Sequence, residues 1–191
     1  MSDGSDDHRT QRERMLAGDL YVADDPELAA LALRARRLQD EFNRSAADEG
    51  DERTRILGEL LGELGPDVEI RPPFYCDYGS QIRLAARVFA NFGLVALDVA
   101  PITIGEDVAI GPNVQLLTPT HPVEAEPRRA KLEAARPITI GDNVWLGGGV
   151  IVLAGVTIGE NTVVGAGAVV TRDLPGNVVA VGNPARVVRT L

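Results

Sequence analysis

From Ile140 onward the aliphatic positions recur every six residues. The chain reads IGDNVW, LGGGVI, VLAGVT, IGENTV, VGAGAV, VTRDLP, with Ile140, Leu146, Val152, Ile158, Val164 and Val170 in register. The register continues upstream at Ile104, Ile110 and Leu116, and a weaker form, broken by two-residue slips, runs through Leu84, Ala90 and Ala96. A helix with 3.6 residues per turn cannot keep every sixth residue on one side, whereas short strands joined by tight corners can. The fifth position of each hexad is small or β-branched (Val108, Val114, Val144, Val150, Val156, Thr162, Ala168), which suits the stacking of turns into a narrow prism. The pattern predicts a β-solenoid over 66–191.

The N-terminal third has a different period. PELAALALRARRLQDEFN, residues 26 to 43, places Leu28, Leu31, Leu38 and Phe42 at helical spacing, with Asp25 as cap and Pro26 at the first position. DERTRILGELLGEL, residues 51 to 64, gathers Ile56, Leu57, Leu60, Leu61 and Leu64 on one side, and its glycines leave the boundary open. Residues 12–65 are therefore expected to form a helical segment. Residues 1–11 are acidic and lack periodicity, so a disordered tail is expected there, with His8 a solvated bystander.

Composition narrows the picture. With 20 glycines and only 4% aromatic residues, the core must be built from Val, Ile, Leu and Ala with many tight corners. A net charge of -9 disfavours nucleic acid and anionic membrane surfaces as partners. The single Cys76 cannot form an internal disulfide, and the N-terminus lacks the basic start and apolar core of a signal peptide, so a cytoplasmic protein is expected. No stretch approaches the ~18 apolar residues that a membrane-spanning helix needs.

Hexads of the form aliphatic-Gly-x-x-small-x resemble those of the hexapeptide-repeat acyltransferases. Within that superfamily the blocks ERMLAGDLY, EFN, PPFYCDYG, ANFG, LDVAPITIG, THPV, PITIGDNVWLGGG, GAGAVVTRDLPGNVV and VGNPARVVR resemble the maltose and galactoside O-acetyltransferases, the maltose enzymes most. Together they reach from about residue 13 to the C-terminus. The resemblance implies a left-handed parallel β-helix with three hexads per coil, although the general rule for parallel crossovers favours the right hand. It also implies transfer of an acetyl group from acetyl-CoA to a sugar hydroxyl, without a metal, by a homotrimer whose acceptor sites lie between subunits.

In three-hexad coils Ile104, Ile110 and Leu116 complete one turn and the next begins at Ile140, so residues 122–139 form an inserted loop. His121 stands at its start, flanked by Pro119 and Pro122. The residues alone fit either a general base or a corner histidine bonded to backbone; the resemblance implies the base, deprotonating the sugar hydroxyl for direct attack on the thioester. By the same resemblance Asn91 lies near the reacting centre, Asp77, Phe89 and Asp98 contact the acceptor, and Gly148, Ala166 and Thr171 line the pantetheine groove with Trp145 as a wall. Arg172, Arg186 and Arg189 are expected at the phosphates. Galactoside enzymes carry an aspartate where this chain has Val99 and a tyrosine where it has Phe89, which argues against a galactoside acceptor.

Two other classes compete. A metalloenzyme similar to the gamma carbonic anhydrases needs three histidine ligands, and this chain has two histidines in all. A non-catalytic solenoid used as an interaction module fits the repeats but leaves the His121 loop and the terminal arginines unexplained. Acetyl transfer to a different hydroxylated acceptor, such as a galactoside, an oligosaccharide or a xenobiotic, is a further alternative.

Overall fold

The computed structural model describes residues 7–191 and forms a parallel β-solenoid of about six turns, preceded by helices. Three sheets make the faces of a prism. The first contains Glu63–Leu64, Ile82–Leu84, Ile102–Ile104, Ile138–Ile140 and Thr157–Ile158. The second contains Glu69–Ile70, Phe89–Ala90, Ala109–Ile110, Trp145–Leu146, Val163–Val164 and Val178–Val181, closed by the antiparallel Arg186–Thr190. The third contains Phe74–Cys76, Leu94–Leu97, Gln115–Leu117, Ile151–Val152 and Val169–Val170.

The hexad register becomes spatial register. Ile104, Ile140 and Ile158 are successive partners on one face, and Leu116 and Val152 on another. These side chains are at most 2% exposed, and each buried aliphatic is worth about 1.5–3 kcal/mol. At the edge between the first and second faces Asn143 donates to Asn161 at 2.9 Å, and Asn161 to Asn177 at 3.0 Å. All three asparagines have left-handed φ, which Asn tolerates at a tight corner.

The N-terminal segment closes the open end. It comprises α1 (Gln11–Ala17), α2 (Pro26–Arg44) and α3 (Gly50–Leu60). The expected tail of residues 1–11 lies partly outside the described residues, and its inner part differs from expectation. Thr10 caps α1 through a capping box with Glu13. On α2, Asp25 accepts from the Glu27 and Leu28 amides. Gln39 and Asn43, one turn apart, face the edge strand Phe74–Cys76. The Gln39 amide both donates to and accepts from the Cys76 backbone, at 3.1 and 2.9 Å, and Asn43 does the same with Phe74, at 3.0 and 2.8 Å. Two side-chain amides thus replace a missing strand and seal the edge.

Helix α3 ends earlier than its apolar pattern predicts, at Leu60, and the solenoid begins at Glu63–Leu64. Close packing explains the switch, since a Cβ on Gly62 would lie 2.2 Å from the Ser80 carbonyl oxygen and only glycine lets the chain pass there.

Candidate active site

The faces are regular; one edge is not. From the last inward residue of the third face to the first of the next coil, four positions suffice between Val152 and Val156. The same step takes six from Cys76 to Ile82 and six from Ala96 to Ile102. It takes twenty-two from Leu116 to Ile138. The two-residue slips in the sequence and the long insertion therefore stack on the same edge.

Buried polar groups hold these longer corners. Asp98 is 0% exposed; its Oδ1 accepts from the Asp77 and Tyr78 amides at 3.1 and 2.8 Å, and its Oδ2 from Gln81 at 3.1 Å. Burial pushes its pKa up, against the pull of the surrounding backbone amides. Thr118, also fully buried, accepts from the Ala100 amide at 3.0 Å and donates to the Leu97 carbonyl at 2.7 Å. With both oxygens engaged by backbone amides and no exposure in the single chain, Asp98, expected at the acceptor, shapes the corner that carries Asp77.

The insertion is an arm rather than a bare loop. Pro119–Thr120 leaves the solenoid, α4 (Ala125–Arg129) forms the tip and Leu132–Ala135 returns antiparallel to the outgoing strand. The return strand also pairs with Tyr21–Val22 of the N-terminal segment, Tyr21 opposite Glu133. His121 sits where the arm leaves, its side chain 55% exposed and its Nδ1 3.8 Å from Glu133 Oε1. The Tyr21 hydroxyl donates to the other oxygen, Oε2, at 3.0 Å. Tyr21 is itself buried among Met15, Leu28, Val99, Ala100 and Ala135. The imidazole thus lies with Nδ1 toward Glu133 and more than half of the ring exposed.

Three more ionisable groups crowd the same corner. Asp77 has its pKa raised from the ordinary 3.8 to about 6, first by burial and then by the charges of Asp98 and Glu133. Burial also raises Tyr78 to about 12 and pushes Cys76 up, which keeps that thiol protonated and inert as a nucleophile. Perturbed groups beside an exposed imidazole make this edge the candidate site. Below His121 a groove of about 280 Å³ runs down the edge, lined by Leu117, Pro119, Thr120, Arg136, Leu153 and Thr171. A larger, more open hollow of about 500 Å³ lies between α2 and α3. Its walls are mainly exposed charged residues such as Asp40 and Arg44, which pair with each other, and it holds no imidazole; its one shifted carboxyl, Glu52, is lowered by pairing with Arg55, so volume does not locate the site.

Most of the remaining expected residues lie away from the His121 edge. Asn91, Gly148 and Ala166 share the edge between the second and third faces. A Cβ on Gly147 would fall 2.6 Å from the Ala166 amide, so that glycine is a stacking requirement. Gly148 would meet only the Pro112 ring, at 3.3 Å, and Ala166 is exposed; together they leave a shallow floor. Asn91 Oδ1 accepts from the Phe92 amide at 2.8 Å, and among the described residues its Nδ2 donates to no partner. Phe89 and Trp145 project from the second face, Phe89 with the Arg71 guanidinium 4.9 Å above its ring and Trp145 56% exposed. Thr171 belongs to the His121 edge, with exposed Arg172 beside it, and Arg186 and Arg189 lie on the exposed last strand. The expected residues therefore fall on different edges of the solenoid.

Residues 14–65 match the maltose acetyltransferase hexapeptide capping motif, and residues 137–172 match the bacterial transferase hexapeptide of six repeats. Nodulation protein L of Rhizobium meliloti (strain 1021) is 52% identical over 94% of this chain and 98% of its own length. The crystal structure of a maltose O-acetyltransferase from Clostridium difficile 630 superimposes with a TM-score of 0.95 at 44% identity, covering 96% of this chain and 98% of that one. The chain belongs to the hexapeptide-repeat O-acetyltransferases of the maltose and galactoside type. A galactoside acetyltransferase solved in complex with coenzyme A, 42% identical, superimposes with a TM-score of 0.92 over 95% of this chain and 91% of its own.

Sequence reasoning about this O-acetyltransferase missed Tyr21, Tyr78 and Glu133. Tyr21 and Tyr78 stand inside quoted family blocks, but nothing local ties them to His121; Glu133 lies in the insertion, whose course the repeat does not specify. Among the described residues no group of three or more His, Cys, Asp or Glu side chains could hold a metal ion, and no helix is long and apolar enough to cross a membrane.

Proposed function

We propose that this protein transfers the acetyl group of acetyl-CoA to a hydroxyl of a maltose- or glucose-type sugar, with His121 as general base. The observation that carries the reading is the imidazole beside Glu133, next in sequence to Thr120 in the wall of a groove that Leu117, Leu153, Thr171 and Arg136 also line. In this mechanism Nδ1 is the protonated nitrogen, oriented by Glu133, and Nε2 accepts the proton of the acceptor hydroxyl as its oxygen bonds to the thioester carbonyl carbon. Asn91 Nδ2 is suited to stabilise the resulting oxyanion. When the carbon–sulfur bond breaks, the imidazolium returns its proton to the departing thiolate. Protons and electrons balance without a covalent enzyme intermediate, consistent with the inert Cys76.

His121 and Asn91 lie on separate edges, so the reading includes a homotrimer in which the His121 edge of one subunit meets the Asn91 edge of its neighbour. Exposed Tyr75 and Phe92 fit such burial. The small floor at Gly148 and Ala166 and the Thr171 groove would then enclose the pantetheine arm, with Trp145 beside it and Arg172, Arg186 and Arg189 near the phosphates. Asp77 and Phe89 are the proposed acceptor contacts. Val99 is 5% exposed in an apolar cluster and Phe89 lacks a hydroxyl, which favours a glucose-type over a galactoside acceptor.

The test is thiol release from acetyl-CoA with glucose, maltose, galactosides and unrelated alcohols. His121→Ala is expected to lower kcat by roughly 10² to 10⁴ while the fold and acetyl-CoA affinity survive. A folded His121→Ala protein that keeps more than about a tenth of the wild-type turnover overturns the mechanism. Turnover with none of the sugars redirects the reading to another hydroxylated acceptor.

A further inference from the structure

We infer that Tyr21, from the N-terminal capping segment, is a positioning residue for catalysis: its hydroxyl fixes the Glu133 carboxylate so that the free oxygen orients His121. The inference rests on the general-base reading above and extends it to the N-terminal segment.

Three observations carry it. First, the antiparallel pairing of Tyr21–Val22 with Leu132–Ala135 sets Tyr21 directly opposite Glu133, so both side chains leave the same face of the ribbon. Second, the hydroxyl reaches Oε2 at 3.0 Å, while Oε1 lies 3.8 Å from His121 Nδ1. One oxygen is tethered and the other is presented to the imidazole. Third, the ring is 1% exposed in a cluster with Met15, Leu28, Val99, Ala100 and Ala135. Packing fixes the hydroxyl's position to within the play of a buried rotamer, which a tether from a solvated side chain would not achieve.

Packing alone does not require the hydroxyl, because phenylalanine fills the same volume. Glu133 does require it. Its side chain is only 24% exposed and lies close enough to Asp77 for the two charges to repel. Without a donor on Oε2, repulsion favours swinging Glu133 outward, away from Nδ1. Burial and the Glu133 charge also keep the phenol protonated, hence always a donor. The outcome is a chain from capping segment to arm to imidazole, in which the segment that seals the solenoid end also sets the base.

The test is Tyr21→Phe in the full chain, with kinetics toward acetyl-CoA and glucose, combined in a double-mutant cycle with Glu133→Gln. Tyr21→Phe is expected to lower kcat about tenfold, the scale of one lost hydrogen bond to a charged group, with both KM values and the melting temperature nearly unchanged. In the Glu133→Gln background the same substitution should have little further effect. A purely structural hydroxyl would lower the melting temperature and leave kcat of the folded protein intact, and that result overturns the inference. Additive losses in the cycle also overturn it, because they mean Tyr21 does not act through Glu133. Full turnover in His121→Ala removes the general-base reading and this inference together. Loss of turnover in His121→Ala with unchanged kcat in Tyr21→Phe removes the inference alone.

Discussion

Asp77→Asn should make the protein more stable at pH 8 than the wild type. The carboxyl of Asp77 is largely buried beside Asp98 and Glu133, and among the described residues it accepts no hydrogen bond that offsets the burial; its amide instead donates to Asp98. Folded Asp77 keeps its proton up to about pH 6, whereas the unfolded carboxyl loses it near 3.8. Between those values the folded state binds more protons than the unfolded one, so stability falls as pH rises through the window, and the full penalty persists above it. Shifting the carboxyl from 3.8 to about 6 corresponds to on the order of 3 kcal/mol, at 1.36 kcal/mol per tenfold change. Asparagine has nearly the shape of the protonated acid and no charge. Its advantage should be small at pH 4, grow through pH 5 and 6, and level off near 2 to 3 kcal/mol above pH 7. Urea denaturation of wild type and variant at fixed protein concentration across that range measures it. An advantage that is flat or shrinks with rising pH refutes the assignment of a strained, ionised carboxylate. The proposed function adds a cost: the same variant should raise KM for the acceptor, since a carboxylate short of donors is suited to sugar hydroxyls.

Gln39→Leu should lower stability by about 2 to 4 kcal/mol, because it leaves the buried N–H and C=O of Cys76 without partners; the shift of the denaturation midpoint at constant slope measures it. Arg186→Ala and Arg189→Ala should raise KM for acetyl-CoA up to about tenfold and leave that for the sugar unchanged, the loss being smaller for an exposed phosphate contact. Unaltered acetyl-CoA kinetics in both would place the nucleotide end elsewhere. Separately inactive His121→Ala and Asn91→Ala proteins, unfolded and refolded together, should regain about a quarter of wild-type activity if each site takes one residue from each of two subunits in a ring. No recovery argues that both residues serve within one subunit.

The repeat was legible because its period is fixed. A six-residue spacing permits few arrangements, and the strands pair in the register that Ile104, Ile110 and Leu116 share with the hexads from Ile140. The Asp25 cap and the start of α2 were legible for a similarly local reason. What the sequence hid is non-local. Tyr21 and Glu133 are 112 residues apart, and only the return strand of the arm brings them together. The burial of Asp98 was equally hidden. A corner aspartate invites a ligand-binding reading, but the corner's backbone amides engage it, and those amides point inward only because the corner is two residues longer than usual. The Glu63–Leu64 strand continued an apolar helical pattern, and the constraint that ended the helix, the approach of Gly62 to Ser80, lies in the next coil.

The regularity that made the fold readable also restricts where chemistry can be built. A residue added within a strand would shift every later side chain to the wrong side of the sheet, whereas residues added at a corner leave the next strand's register intact. The solenoid therefore gains length only at edges, and here it does so three times on the same edge. Two extra residues enter at Cys76–Ile82, two at Ala96–Ile102, and at Leu116–Ile138 the twenty-two positions exceed the usual four by eighteen. The first two additions create the corner that carries Asp77 and Tyr78 on the buried Asp98, and the third creates the arm with His121 and Glu133. Pairing of the arm with Tyr21–Val22 then fixes it against the capping segment, so an insertion of eighteen residues keeps a defined path. The core beneath stays regular, with Ile102 and Ile138 at 0% exposure on either side of the arm. Rigid register below and added length above place an imidazole at the surface beside Glu133, the kind of support that the proposed general base needs.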